Sequence, residues 1–205
     1  MPGLADSGGI VDGIATMRVI AGKYRSRPLR SLRGMDVRPT TDRLRETLFD
    51  VLTAGNPAGL AGTTWFDLYA GTGAVGIEAL SREAGMVYFV ESSAPAAKVI
   101  SQNLHSLDMK TGFNILELDV PRALRKLETG NVTADFVFLD PPYRMEEAYR
   151  TVLGQLSQSR ILRSNSLVIA EHQKKFDPGE AFSTLYRYRK LQQGDAALSF
   201  YRKGE

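Results

Sequence analysis

The chain has 205 residues, 43% of them hydrophobic, enough for one well-buried α/β core with an appendage and too few for two full domains. It has no cysteine and two histidines, His105 and His172, which excludes a disulfide framework and leaves no Cys/His zinc site, so a metal-free intracellular protein is expected. The net charge of +3 is unevenly spread: nine basic residues face three acids between Met17 and Glu46, so that segment carries +6 and the remainder −3.

Residues 1–16 are small, Gly-rich and unpatterned, and read as a flexible leader. They lack the basic start and apolar centre of a signal peptide, and no apolar run approaches the length of a membrane span, so a cytoplasmic protein is expected.

The basic segment, residues 17–55, follows as a separate unit. Met17 to Tyr24 and the Arg/Ser/Pro stretch after it read as short strands around a Gly turn. Arg38-Pro39-Thr40-Thr41-Asp42 then opens a helix with Thr41 or Asp42 as N-cap and with Leu44, Leu48, Val51 and Leu52 on one face. That face docks on the core and turns Arg43 and Arg45 outward or toward a ligand. Arginine outnumbers lysine eight to one in this segment, which favours bidentate phosphate or base contacts over mere solubility. Confined basic charge of this kind is the footprint of a nucleic-acid backbone contact, although a solvated charged face gives the same pattern.

A second unit, residues 56–205, alternates strand and helix from Thr63, the pattern of a mostly parallel sheet covered on both faces. Strands are expected near Thr64–Tyr69, Met86–Val90, Phe113–Leu118, Phe136–Leu139, Leu167–Ala170, Thr184–Arg189 and Ala197–Tyr201, seven in all, with helices between the first five. Only a short segment containing Gly194-Asp195 separates the last two, so they form an antiparallel hairpin.

The first strand runs into Asp67-Leu-Tyr-Ala-Gly71-Thr-Gly73-Ala-Val-Gly76 and an apolar helix. Glycines at 71, 73 and 76 let the backbone turn sharply and approach a ligand at a helix amino terminus. The spacing matches the dinucleotide fingerprint, and Glu91 lies where that fingerprint places its ribose acid, so the glycines alone do not separate a nicotinamide cofactor from S-adenosylmethionine. Two acids discriminate. Asp67 can hold a ligand's ammonium group, which S-adenosylmethionine has and NAD lacks, and Asp119, after the third strand, can accept from an adenine amine.

The apolar run Phe136 to Leu139 delivers Asp140-Pro141-Pro142-Tyr143. Each proline fixes its φ near −65° and cannot donate to a sheet ladder, so the strand stops there on a stiff path. A carboxylate, two rigid prolines and an aromatic ring at a strand's carboxyl end make a pocket for a flat, amine-bearing group, although a Pro-Pro turn with a local Asp cap is the plainer alternative. Elsewhere the plainer readings prevail. Trp65 reads as core packing, His105 as surface, and His172 as exposed or locally bonded rather than in contact with substrate. The Arg187-Tyr-Arg-Lys190 cluster either extends a nucleic-acid surface or protects an edge strand with charge.

Together these motifs resemble the amino-methyltransferases of class I. More narrowly, Met17-Arg-Val-Ile-Ala-Gly-Lys-Tyr, Arg38-Pro-Thr-Thr-Asp-Arg, Asp67 through Gly76 and Gly194-Asp-Ala-Ala-Leu-Ser-Phe-Tyr-Arg202 resemble the bacterial 16S ribosomal RNA guanine-N2 methyltransferases, over about Met17 to Lys203 and with Tyr69 where phenylalanine is common. The resemblance implies a Rossmann-like class I fold with a C-terminal hairpin and a basic N-terminal extension. It implies S-adenosylmethionine held by Asp67, Tyr69, Ala70, Gly71, Gly73, Glu91, Asp119 and Asp140, and chemistry at Asp140, Pro141 and Tyr143. It implies RNA contacts from Arg18, Lys23, Arg25, Arg27, Arg38, Thr41 and Arg43, and as partner 16S RNA or the assembling small subunit, met by a monomer. The nearest rival is an adenine-N6 methyltransferase on DNA or RNA, although 205 residues leave no room for a target-recognition domain. An NAD-linked oxidoreductase lacks a catalytic pair, and a non-catalytic RNA-binding or assembly factor would not need the acids at 67, 91 and 140.

Overall fold

The computed structural model describes residues 17–31 and 39–204. The expected leader, Arg33 and Arg38 lie outside the described residues, as does the side chain of Thr41. The elements run α1 (Pro39–Thr53), β1 (Thr64–Leu68), α2 (Ala74–Ser81), β2 (Met86–Val90), α3 (Ala94–Ser106), β3 (Phe113–Leu116), α4 (Val120–Thr129), β4 (Ala134–Leu139), α5 (Glu146–Gln158), β5 (Leu162–Gln173), β6 (Ala181–Phe182), β7 (Leu185–Gln193) and β8 (Ala196–Lys203).

The strands form one sheet in the order β3-β2-β1-β4-β5-β8-β7-β6. The first five are parallel, and β8, β7 and β6 continue antiparallel. The expected helices stand between the parallel strands, and Gly194-Asp195 turns the hairpin. The sheet has eight strands rather than seven. The added one, Ala181–Phe182, is too short to show a period of two. Strand β5 starts at Leu162, ahead of the expected Leu167, through a polar stretch whose pairing with β4 shifts register between Ala134 and Phe136.

One apolar cluster joins Leu44, Leu48, Phe49, Trp65, Ile77, Phe89, Ile100 and Phe138 on one face of the sheet. The other joins Phe66, Val90, Leu124, Val137, Leu153 and Val168 on the opposite face. Trp65 stacks between Phe49 and Phe136 at centroid separations of 5.4 and 4.7 Å, as a core residue. Leu68 pairs with Leu139 and Leu139 with Ala170, so Tyr69 and Asp140 leave the sheet level with Glu171, while β5 itself runs on to Gln173.

The basic arm is fastened to this core by buried polar groups. Glu78, fully buried in α2, accepts from the backbone N–H of Ile20 at 2.7 Å and of Ala21 at 2.9 Å, and pairs with Arg82 at 2.8 Å. Gly22 has φ +80°, and a Cβ there would lie 1.9 Å from the Ser81 carbonyl oxygen, so the approach requires glycine. Asn103 accepts from the Arg30 N–H at 2.7 Å and donates to the Thr72 carbonyl at 3.0 Å, linking the arm to the glycine loop. The expected arm strands reduce to a single bridge between Arg18 and Pro28. Helix α1 begins at Pro39, ahead of the expected cap at Thr41 or Asp42, with proline at a first-turn position where its missing N–H costs nothing.

Candidate active site

The order of the strands reverses between β1 and β4, so the crevice beyond their carboxyl ends is the topological switch point of the sheet. A cleft of about 1090 Å³ opens there, lined by Asp67, Tyr69, Ala70, Gly71, Glu91, Asp119, Asp140, Pro141 and Tyr143 among others. Residues from four strand ends, spread over some seventy-five positions of sequence, therefore meet in one space.

Asp67, at the end of β1, is buried, and its Oδ2 accepts the Gly76 N–H at 2.8 Å. Burial pushes its carboxyl up to about 8, with the Gly76 bond opposing the shift and the Asp140 and Glu91 charges adding to it. Tyr69 turns the chain with φ +60°, a left-handed conformation that a non-glycine residue adopts only where its surroundings impose it. Glu91, beyond β2, accepts from the Gly71 N–H at 2.9 Å and from the Ser93 N–H at 2.8 Å, holding the loop at its open edge. Asp119 caps α4 by accepting the Arg122 N–H at 2.9 Å. Gly73 departs from the expected set. It has φ +77° and packs beneath the loop against Ile100 and Phe89, away from the cleft wall.

On the other side of the cleft, Asp140 follows β4, and burial pushes its carboxyl up to about 7. Pro142 accepts the Met145 N–H at 2.7 Å, which turns the chain into α5 and leaves Tyr143 at the mouth with 42% of its surface exposed. Two further residues line this half that the motifs do not mark, Arg45 of α1 and Glu171 of β5. Arg45 is 6% exposed, so it does not face outward as one of the two expected alternatives had it. Glu171 sits well above the usual carboxylate range because of burial and the neighbouring Asp140, with Arg45 opposing.

His172, next to it, points to the opposite face. It is buried rather than exposed, with Nδ1 donating to the Gln173 carbonyl at 2.8 Å and Nε2 accepting from Ser199 at 2.9 Å. His105 is exposed, as expected. Arg18, Lys23, Arg25, Arg27 and Arg43 are exposed and lie off the cleft wall. In the Arg187 to Lys190 cluster, Arg187 pairs with Asp177 at 2.6 Å and Glu180 at 3.0 Å and Lys190 pairs with Asp177 at 3.0 Å, so much of its charge is met locally. Among the described residues no group of three or more His, Cys, Asp or Glu is arranged to hold a metal, and no helix is long and apolar enough to cross a membrane.

The family model described as conserved hypothetical protein 95 matches residues 17–202. The ribosomal RNA small subunit methyltransferase D of Haemophilus influenzae is 33% identical over 162 residues, covering 77% of this chain and 79% of that one. The Bacillus subtilis protein YlbH is 30% identical over 187 residues, covering 91% of this chain and 99% of that one. The structure of the Escherichia coli protein yhhF superposes with a TM-score of 0.75 at 27% identity, covering 92% of this chain and 98% of that one.

Proposed function

The chain belongs to the conserved hypothetical protein 95 family, and from that premise we propose that it transfers a methyl group from S-adenosylmethionine to the 2-amino group of one guanine in 16S ribosomal RNA. The observation that carries this reading is the meeting, in one cleft at the switch point, of a cofactor half built on Asp67, Glu91 and Asp119 with an acceptor half built on Asp140-Pro-Pro-Tyr143.

The residues fit the cofactor. Asp67 is a buried carboxylate pushed up to about 8, a site that favours a cation, and the cofactor brings an ammonium and a sulfonium. Asp67 would hold the ammonium, Glu91 the ribose hydroxyls and Asp119 the adenine amine, with Tyr69, Ala70 and Gly71 shaping the wall. When bound, S-adenosylmethionine supplies an electrophilic methyl group.

The exocyclic amine is a poor nucleophile because its lone pair is delocalised into the ring. Asp140 accepts one amino hydrogen and the Pro141 carbonyl the other, which turns the lone pair toward the methyl and offsets the positive charge that develops on nitrogen. As the N–C bond forms and the C–S bond breaks, the surplus proton passes to Asp140 or to water. Tyr143 at the mouth offers a face for the flipped base to stack on. The arm, residues 17–55, would place Arg18, Lys23, Arg25, Arg27, Arg38, Thr41 and Arg43 along the RNA backbone, with residues 56–205 as the catalytic domain of a cytoplasmic monomer.

The test supplies labelled S-adenosylmethionine with unmodified small subunits, naked 16S RNA and DNA in parallel, then maps the modified nucleoside. N2-methylguanosine in 16S RNA is the expected product. Label on adenine, or on DNA alone, overturns the reading.

A further inference from the structure

The acceptor half of the cleft contains more polar groups than holding one amine requires. In the parallel ladder Leu139 of β4 pairs with Ala170 of β5, so Asp140 and Glu171 emerge side by side on the same face, one strand spacing of about 4.8 Å apart. Arg45 reaches the same wall from α1. Its Nη2 donates to the Arg18 carbonyl at 2.5 Å and to Asp42 at 3.0 Å, while its Nε is buried and has no partner among the described residues. A guanidinium N–H left unmet inside a ligand cleft is costly and calls for an acceptor.

We propose that Glu171 and Arg45 read the Watson–Crick edge of the acceptor base, Glu171 accepting the N1–H of guanine and Arg45 donating to its O6. This rests on the methyl transfer proposed above and specifies how the base is chosen. Once Asp140 holds the 2-amino group, N1 is the next atom along the edge and O6 the one after it. The side chains follow in the same order, from Asp140 to its neighbour Glu171 and then to Arg45. Adenine presents the reverse pattern, an acceptor at N1 and a donor at position 6, so both groups would be left unpaired against it. Sites that hydrogen-bond a substrate reject analogues lacking the partner by about 10⁴-fold or more. Arg45 also bonds the arm at Arg18, which couples base reading to the segment that would grip the RNA.

The test uses the full chain and RNA ligated to carry either guanine or 2-aminopurine at the position mapped as modified. 2-Aminopurine keeps the reactive amine but has a bare N1 and no O6. The wild type should prefer guanine by about 10⁴-fold in kcat/KM. Glu171→Gln offers an amide donor to the bare N1 and should narrow that ratio by about a hundredfold, while Arg45→Met, which also frees the Arg18 carbonyl for either substrate, should lower turnover of guanine by a larger factor than that of 2-aminopurine. Equal methylation of both bases by the wild type overturns the proposal. So does a Glu171→Gln or an Arg45→Met that binds S-adenosylmethionine normally but slows both substrates by the same factor, since that is the signature of a group acting only through the charge on Asp140. Absence of N2-methylguanosine from every wild-type reaction is a failure of the proposed function instead.

Discussion

Asp67 and Gly76 are joined by a 2.8 Å hydrogen bond from the Gly76 N–H to Asp67 Oδ2, which ties the end of β1 to the first turns of α2 and closes the glycine loop between them. The same carboxylate faces the cleft. Loop geometry and ligand charge therefore depend on one buried group, and its ionisation connects folding to cofactor binding.

That connection has a sign. The Asp67 carboxyl is raised from 3.8 to about 8, so the free protein holds it mostly protonated at neutral pH. A bound ammonium favours the ionised form, so binding S-adenosylmethionine should release a proton, and affinity should rise with pH up to about 8 and then level. For the unliganded fold the sign is opposite: the stability tied to this group is fully present below 3.8 and is lost as pH rises through about 8. Asp67→Asn should bind cofactor weakly with little pH dependence, and its melting temperature relative to wild type should climb over that interval. Calorimetry in buffers of differing ionisation enthalpy measures the proton, and no net release would contradict the assignment.

Gly76 is constrained by packing. A Cβ there would lie 2.3 Å from Phe89 Cε1 and 2.8 Å from Val87 Cγ1, both in β2 beneath the helix. Gly76→Ala should cost about 1–3 kcal/mol through overpacking, lowering the melting temperature by roughly 3–10 °C. Gly55, with φ +78° and open space within 4 Å of where a Cβ would stand, is the control. Its alanine variant should lose only about 1 kcal/mol, from the left-handed backbone. Paired thermal melts distinguish the two.

Asp140→Ala should abolish turnover while leaving cofactor affinity within a few fold, because the residue acts on the amine. Its carboxyl is raised to about 7, and Glu171 beside it is also raised by burial and by the Asp140 charge, so the two titrate as a pair. If the ionised form of Asp140 accepts the amino hydrogen, kcat/KM should fall as pH drops below about 7 and flatten above it. A pH–rate profile that is flat from pH 6 to 8 would remove Asp140 from that role.

The cofactor half was legible because its residues sit at fixed offsets from strand ends. Asp67, Gly71 and Glu91 follow apolar runs, and the structure brings all three to the cleft. The acceptor half was legible only at Asp140 to Tyr143. Arg45 carries a signal in retrospect, since it precedes Leu48 and Leu52 by three and seven residues and so borders the apolar stripe of α1, a poor place for a solvated charge. Glu171 likewise follows Ala170 as Asp140 follows Leu139, but the pairing of those strands is a long-range fact that no local pattern contains. His172 is locally bonded to the Gln173 carbonyl, one of its two expected readings, but its second partner was hidden for the same reason: Ser199 lies on β8, 27 positions away in sequence.

The arm provides the remaining prediction, and its residues are not equivalent. Arg27 Nη2 donates to the Ser106 carbonyl at 2.9 Å, so Arg27→Ala loosens the arm as well as removing charge. Lys23 lies 5.3 Å from the centre of the Tyr24 ring. Arg25 is exposed within the turn that Gly22 forms, and it is the cleanest probe of charge alone. If the arm grips phosphates, Arg25→Ala should weaken binding of every RNA sequence alike and reduce the slope of log K against log salt by about 0.7–0.9. The melting temperature should not move, because no core contact is lost. Titrations between low and moderate salt on matched and unrelated RNAs read both quantities. A slope unchanged by Arg25→Ala, Lys23→Ala and Arg18→Ala together would mean that the +6 segment is a solvated face fastened to the core by Glu78 and Asn103, with RNA gripped elsewhere.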